Sequence, residues 1–107
     1  MSDDVQIIRP QGRLDSTSSP ALEKQALDVI DGGGRLLLLD FADLNYISSA
    51  GLRVALAVAK RMSGAGGKLA LCSLNPQIAE VFEMSGVNTI LDIHPSAESA
   101  TARLRGG

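Results

Sequence analysis

The residues of this sequence that most plainly offer chemistry are two adjacent serines, Ser48 and Ser49. They stand just before a segment with helical spacing, and a helix begins with unpaired backbone N–H groups and the positive end of its dipole. Such a position accommodates the charge of about −1.5 to −2 that a phosphate adds near neutral pH. The small residues Ala50 and Gly51 leave a serine hydroxyl within reach of another protein. A serine before a helix is also an ordinary N-cap, worth about 1 kcal/mol, so the residue types alone leave both interpretations open.

Enzymatic chemistry at Ser49 would need a base and an orienting acid within hydrogen-bond reach of the serine. Ser49 does not lie in a Gly-x-Ser-x-Gly elbow, and the single histidine, His94, precedes Pro95 and is expected to be a solvated loop residue. The glycine-rich stretch 64–68 lacks the first glycine of a phosphate-binding loop and precedes a strand instead of a helix. We therefore predict a protein that is not an enzyme. A small hydrolase is the alternative, and turnover of model esters that depends on Ser49 would revive it.

The sequence does not indicate a metal or a cofactor. Cys72 and His94 supply at most two ligands of the kind that zinc prefers, and the apolar neighbours of Cys72 predict a core thiol. Asp15, Asp40 and Asp43 could meet near strand ends, but they do not have the spacing of a calcium loop. We expect Asp40 and Asp43 to support the loop backbone or to contact a partner.

Length and charge restrict the class of protein. The chain has 107 residues, with 10 basic and 12 acidic side chains and a formal net charge of −2. We expect one domain over residues 1–107, with neither the basic patch of a nucleic-acid binder nor a polybasic signal for anionic membranes. The acidic start does not resemble a secretory signal, and the apolar runs fall short of the roughly 18 residues of a membrane helix. These features predict a cytoplasmic protein, a monomer by default, without nucleic acid or direct membrane contact.

Hydrophobic patterns predict strands that alternate with helices. Residues 5–14 alternate like a strand that Pro10 and Gly12 interrupt, which gives an edge strand or a bend between two short strands. The four leucines of 36–39 form the short apolar run typical of a central strand covered on both faces. A helix is predicted to begin with Ser19 as N-cap and to end at Gly32, and a second helix is predicted over 51–62. A strand over 68–74 precedes a helix from Asn75 to Gly86, whose inward residues are Ile78, Val81, Phe82 and Ser85. A strand over 89–93 and a helix capped by Ser96 complete the prediction. This order predicts an α/β fold with a mixed, largely parallel sheet, an antiparallel edge near 10–12 and about four packed helices.

Four motifs in a fixed order resemble the STAS domain, the family typified by bacterial anti-sigma-factor antagonists. The most specific motif contains the two serines and resembles the family signature Asp-Leu-x-x-Val-x-Phe-Met-Asp-Ser-Ser-Gly-Leu. The motifs lie at residues 12–15, 40–52, 67–71 and 75–86. The resemblance covers nearly the whole chain and implies the STAS type of mixed, largely parallel sheet. In one departure from the pattern, Ser48 stands where the family often has aspartate.

The resemblance implies a role in partner switching. In the family, the unmodified protein binds a partner that is both an anti-sigma factor and a serine-protein kinase. Phosphorylation of the serine two residues before Gly-Leu releases the partner, and a PP2C-type serine phosphatase resets the protein. That serine is Ser49 here, with Ser48 as the second choice. The residues expected to bind the partner are Asp15, Asp43, Asn45, Tyr46, Ser48, Ser49, Ala50, Gly51, Leu52 and Arg53. The alternative within the same fold is a constitutive docking subunit of a lipid-transport ABC system, in which no phosphate turns over.

Overall fold

The computed structural model describes residues 4–106, so the acidic start at residues 1–3 and the predicted domain end at residue 107 lie outside the described residues. The elements are β1 (Gln6–Ile8), β2 (Gly12–Leu14), α1 (Ser19–Asp31), β3 (Leu36–Asp40), β4 (Leu44–Ile47), α2 (Ser49–Gly64), β5 (Lys68–Cys72), α3 (Pro76–Met84), a 3₁₀ turn (Val87–Thr89), β6 (Asp92–His94) and α4 (Ala97–Leu104). The predicted α/β class with a largely parallel sheet is confirmed. Within residues 4–106, no helix has both the length and the apolar composition that crossing a bilayer requires.

β3 lies inside a four-stranded sheet of order β1-β3-β5-β6, in which all neighbouring strands run parallel. The leucines of β3 point alternately to the two faces of the sheet. Leu37 and Leu39 enter the core that α1, α2 and α3 cover, whereas Leu38 packs with Ala100 and Leu104 of α4. The prediction of a central strand covered on both faces is therefore confirmed, because an unbroken apolar run needs cover on each side of the sheet.

β2 and β4 form a separate two-stranded sheet. They run parallel, with Leu14 opposite Ile47 and Arg13 opposite Tyr46. The predicted antiparallel edge is wrong, because the chain passes from β2 through α1 and β3 before it reaches β4, and such long crossovers are the connection that parallel strands need. The sequence also does not predict β4. Its buried residues, Leu44 and Ile47, lie at its two ends with exposed residues between them, so the alternation of a half-buried strand is missing.

Several element boundaries differ from the sequence prediction by one or two residues. The N-cap of α1 is Ser18, and Ser19 is already helical. α2 begins at Ser49, two residues before the predicted start at Gly51. β5 ends at Cys72, before the predicted end at residue 74. Shifts of this size are ordinary at element ends, but the shift in α2 changes the position of the two serines, as described below.

The predicted caps of the last two helices are confirmed. The Asn75 side-chain oxygen accepts a hydrogen bond from Ile78 N–H at 2.8 Å and so begins α3. The Ser96 hydroxyl accepts one from Ser99 N–H at 3.2 Å and begins α4. Each cap satisfies a backbone donor that would otherwise lack a partner at the helix start.

The connection after α3 differs from the prediction. Gly86 closes the helix at φ +75°, as expected of a glycine in this position. Ser85 is exposed instead of inward, because the helix ends at Met84. A 3₁₀ turn over Val87–Thr89 then replaces the start of the predicted strand over 89–93, and β6 begins only at Asp92.

Candidate functional site

Ser48 and Ser49 lie where β4 passes into α2. Ser48 has an extended backbone, and its N–H donates a hydrogen bond to Leu14 O of β2 at 2.9 Å. The Ser48 carbonyl accepts one from Leu52 N–H at 3.0 Å, which is the first turn of the helix. Ser48 is therefore the N-cap residue and Ser49 is the first helical residue. The pairing of β2 with β4 thus fixes the backbone that presents both serines.

The two serine hydroxyls have different surroundings. The Ser48 hydroxyl is buried and has no hydrogen-bond partner among residues 4–106, and it forms no side-chain cap bond to α2. Ser49 is exposed at the surface of the first turn. The ordinary N-cap interpretation therefore does not apply to Ser49, which is not the cap residue. Of the two hydroxyls, the one at Ser49 is within reach of another protein.

Gly51 allows α2 to lie close to the two strands beneath it. A Cβ atom at this position would lie 2.6 Å from Ile47 Cγ1 and 3.0 Å from the carbonyl oxygen of Leu14. The small size of Gly51 predicts access to the serines, whereas its structural role is this close approach. Gly51 and Leu52, both expected to bind the partner, are buried, so they contribute to the site by seating the helix.

Arg13 is a residue of this site that the sequence interpretation did not select. Its guanidinium carbon lies 4.1 Å from the centre of the Tyr46 ring, within the range of a cation–π contact. Its Nε also lies 3.7 Å from Asp15 Oδ2. The structure thus brings together Asp15 and Tyr46, two of the predicted binding residues, through Arg13. The signal that would have identified Arg13 is its cross-strand position, which depends on β4.

Asp15 holds the turn between β2 and α1. Its Oδ1 accepts hydrogen bonds from the Thr17 hydroxyl at 2.7 Å, from Thr17 N–H at 3.0 Å and from Ser18 N–H at 3.2 Å. The hydrogen bonds from the Thr17 hydroxyl and backbone, with that from Ser18, lower the pKa of Asp15 from 3.8 to about 2. The carboxylate is therefore ionised at neutral pH and fixed in orientation at the edge of the site.

Asp40 supports the loop between β3 and β4, as the sequence interpretation expected. Its carboxylate is buried and accepts hydrogen bonds from Ala42 N–H and Arg9 Nε, both at 3.0 Å. Burial on its own would raise the pKa of Asp40, but the hydrogen bonds from Ala42 and Arg9 outweigh burial and hold the pKa below its ordinary value. Asp43 is exposed, and its carbonyl accepts a hydrogen bond from Gly12 N–H at 3.0 Å. Within residues 4–106, no three His, Cys, Asp or Glu side chains are grouped as metal ligands would be.

The remaining predicted binding residues lie on both sides of Ser49. Asn45 and Tyr46 line a groove between β4 and α3, with Met84 on its far wall. Asn75 ties the two walls together, because its side-chain amide donates to Leu44 O at 3.2 Å. Ala50 and Arg53 line a second groove, between α1 and α2. These predicted residues therefore line two grooves, one formed by residues just before Ser49 and one by residues just after it.

Cys72 and His94 belong to β5 and β6 of the four-stranded sheet, not to the strand pair or the helix that present the serines. The prediction of a solvated loop histidine is wrong, since His94 is a mostly buried residue of β6 with Nε2 2.9 Å from Asp92 Oδ1. Of the hydrogen bonds that residues 4–106 form, none joins His94 to Ser49. Cys72 is a buried free thiol, as predicted, and burial raises its pKa.

Comparisons with known proteins agree with this architecture. The STAS domain family matches residues 1–100 of the chain. The chain is 43% identical over 95 residues to BtrV, an anti-sigma factor antagonist of Bordetella bronchiseptica, a match that covers 89% of this chain and 82% of the relative. It is 30% identical over 101 residues to the anti-sigma F factor antagonist of Paenibacillus polymyxa, with 94% and 86% covered. The crystal structure of an anti-sigma factor antagonist from Thermotoga maritima superposes with a TM-score of 0.90 at 26% identity, covering 98% of this chain and 91% of that one.

The parallel sheet with three helices on one face and one on the other, and a serine-bearing helix start beside a strand pair, define a STAS-type fold. The chain belongs to the STAS domain family, since the family match spans most of its length.

Proposed function

We propose that this protein is an anti-sigma factor antagonist that acts as a phosphorylation switch in the cytoplasm, without catalysis of its own. The unphosphorylated form binds an anti-sigma factor that is also a serine-protein kinase, and phosphorylation of Ser49 releases that partner. A PP2C-type serine phosphatase restores the binding form. The observation that carries the proposal is the exposed hydroxyl of Ser49 at the start of α2, beside a Ser48 hydroxyl that is buried. The antagonist role of the relatives supports the same function.

The start of α2 suits a residue that must carry a phosphate without unfolding the protein. The first-turn N–H groups and the helix dipole favour an anion at this end. The phosphate adds about −1.5 to −2 charge on a surface that already holds the ionised Asp15 and the exposed Asp43. A partner that reads this surface therefore meets a large change in charge at a fixed backbone. Because about 1.4 kcal/mol is tenfold in affinity, a modest electrostatic penalty suffices for release.

Substitutions at the two serines test the proposal. Ser49→Ala is expected to bind the anti-sigma kinase as tightly as the unmodified protein and to stay bound when ATP is added. Ser49→Asp is expected to bind at least about tenfold more weakly, a loss of about 1.4 kcal/mol. Ser48→Ala is the matched control and is expected to be phosphorylated and released like the wild type. Titration calorimetry with each kinase–anti-sigma candidate of the same genome measures these affinities. Equal affinity of Ser49→Ala and Ser49→Asp would contradict the switch, and loss of phosphorylation in Ser48→Ala alone would transfer the role to Ser48.

Phosphopeptide mapping of the protein from its native host separates the switch from its alternative. Phosphate on Ser49 under some growth conditions is the expected result. An unmodified Ser49 peptide under all conditions, together with co-purification of a membrane transporter, would instead support a constitutive docking subunit of a lipid-transport ABC system.

A further inference from the structure

The candidate site contains two arginines, Arg13 of β2 and Arg53 of α2, and among residues 4–106 only Arg13 has a side-chain partner. Arg13 lies over the Tyr46 ring and near Asp15. Arg53 is exposed, and among residues 4–106 it takes part in none of the ion pairs or side-chain hydrogen bonds. Of these two arginines, the one without a partner among residues 4–106 is thus on the same helix as Ser49.

Ser49 and Arg53 are four residues apart in α2. Residues with this spacing are neighbours on a helix surface, with Cβ atoms about 5–6 Å apart, and the order with the anion on the N-terminal side is the more favourable one. Arginine is also the cation best suited to phosphate, because its planar guanidinium can donate two parallel hydrogen bonds to phosphate oxygens. A phosphate on Ser49 and the Arg53 guanidinium can therefore meet without any movement of the backbone.

Arg53 has space to make this contact. Its side chain borders the groove between α1 and α2 and also another groove along the outer face of α2. Glu23 lines the groove between α1 and α2 but forms no ion pair with Arg53 in the part of the chain that the structure describes. The guanidinium is thus not already committed to an acidic neighbour.

We propose that Arg53 is the internal acceptor of the Ser49 phosphate, so that phosphorylation withdraws this cation from the partner-facing surface while it adds negative charge. The inference rests on the proposed phosphorylation of Ser49. The contact between Arg53 and the phosphate gives the switch two electrostatic effects. Before modification, Arg53 is free to pair with an acidic group of the partner. After modification, Arg53 is held by the phosphate, and the partner meets the remaining negative charge.

The test uses protein that carries phosphoserine at position 49 through genetic encoding, so that it needs no kinase. Phosphorus NMR follows the second ionisation of the phosphate in the Arg53→Gln variant and in the otherwise unchanged protein. Because the ion pair favours the dianion, the phosphate pKa is expected to be about 0.3 of a unit lower with Arg53 present. Arg53→Lys keeps the charge but loses the bidentate geometry, and it is expected to recover part of the shift.

Lys60→Gln is the matched control, because it removes one exposed cation from the same helix. Lys60 lies eleven residues after Ser49, about 16 Å along the helix at about 1.5 Å per residue, and this distance exceeds the screening length of about 8 Å at physiological ionic strength. The phosphate of the Lys60→Gln variant should therefore have the same pKa as the phosphate of the otherwise unchanged protein. Equal phosphate pKa values in Arg53→Gln and Lys60→Gln would overturn the inference.

The two proposals can fail independently. Absence of phosphate on Ser49 in the native host would overturn the proposed function, while the encoded phosphoserine would still report whether Arg53 binds it. Conversely, phosphate on Ser49 in cells with no effect of Arg53→Gln on the titration would leave the switch and remove Arg53 from it.

Discussion

Replacing Gly51 by alanine tests how closely α2 must approach the strands that present the serines. The added Cβ would lie 2.6 Å from Ile47 Cγ1, 3.0 Å from Leu14 Cγ and 3.0 Å from Leu14 O. Leu14 and Ile47 are both almost fully buried, so neither side chain has solvent to move into. The Leu14 carbonyl is also the acceptor for Ser48 N–H at 2.9 Å. Relief of the clash therefore requires α2 to lift from the strand pair and disturbs the bond that positions the serines.

Two opposing terms set the size of the effect. Overpacking a buried site typically costs about 1–3 kcal/mol, while glycine to alanine within a helix contributes up to about 1 kcal/mol of stability. The net expectation is a loss of about 1 kcal/mol, which for a domain of this size lowers the melting temperature by about 4–8 °C. The lifted helix start should also weaken binding of the anti-sigma partner under the proposed function.

The test compares the stability of Gly51→Ala with that of Gly64→Ala by thermal and urea unfolding. Gly64 is exposed at the end of the same helix, and a Cβ there would meet nothing within 4 Å. Gly64→Ala has the same chemical change and helix propensity gain without the clash, so its melting temperature should be equal to the wild type or higher. If Gly51→Ala were as stable as Gly64→Ala, the close approach of helix and strands would not be a constraint and the reasoning would be refuted.

Substitutions at two further positions, Asn75 and Asp15, test the supports of the site. Asn75→Ala is expected to lower the free energy of unfolding by about 2 kcal/mol, about 1 from the cap bond to Ile78 N–H and about 1 from the bond to Leu44 O. Asn75→Asp keeps the cap and should lose only the contribution of the bond to Leu44 O. Equal losses of the two variants in urea unfolding would contradict the assignment. The hydrogen bond from the Thr17 hydroxyl is the largest cause that lowers the pKa of Asp15 from 3.8 to about 2. The Asp15 carboxylate therefore stabilises the fold above about pH 4, and this contribution is lost as the pH falls through about 2. Asp15→Asn should therefore be less stable than wild type at about pH 6 and nearly equal near pH 2, and a constant difference between the two urea midpoints would contradict the linkage.

The features that the sequence predicted well are those with a local physical cause. The leucines of β3 can only be buried on both faces, and the two faces are indeed covered by different helices. Asn75 and Ser96 cap helices because their side chains reach the backbone three residues on. Each of these signals is contained within a few residues, so no knowledge of the rest of the fold is needed to read it.

The features that the sequence did not predict depend on contacts between distant segments. β4 has no alternating pattern of its own and exists through its pairing with β2. Without β4, the hydrophobic pattern starts α2 two residues late, and the ordinary N-cap interpretation is not assigned to one serine or the other. The burial of the Ser48 hydroxyl and the stacking of Arg13 on Tyr46 follow from the same pairing, so they could not be inferred before it was known.

The arrangement around Ser49 favours a switch that changes charge without changing shape. Ser48 is held by Leu14 on one side and by Leu52 on the other, and Gly51 leaves no space between the helix and the strands. Ser49 is exposed directly beside these anchors, so its hydroxyl can be modified while the backbone that carries it stays in place. The unpaired N–H groups of the first turn favour the anion and reduce the cost of the modification to the fold. Under the proposed function, a partner would then read the phosphate through electrostatics at a surface whose backbone is held by paired strands and a helix start.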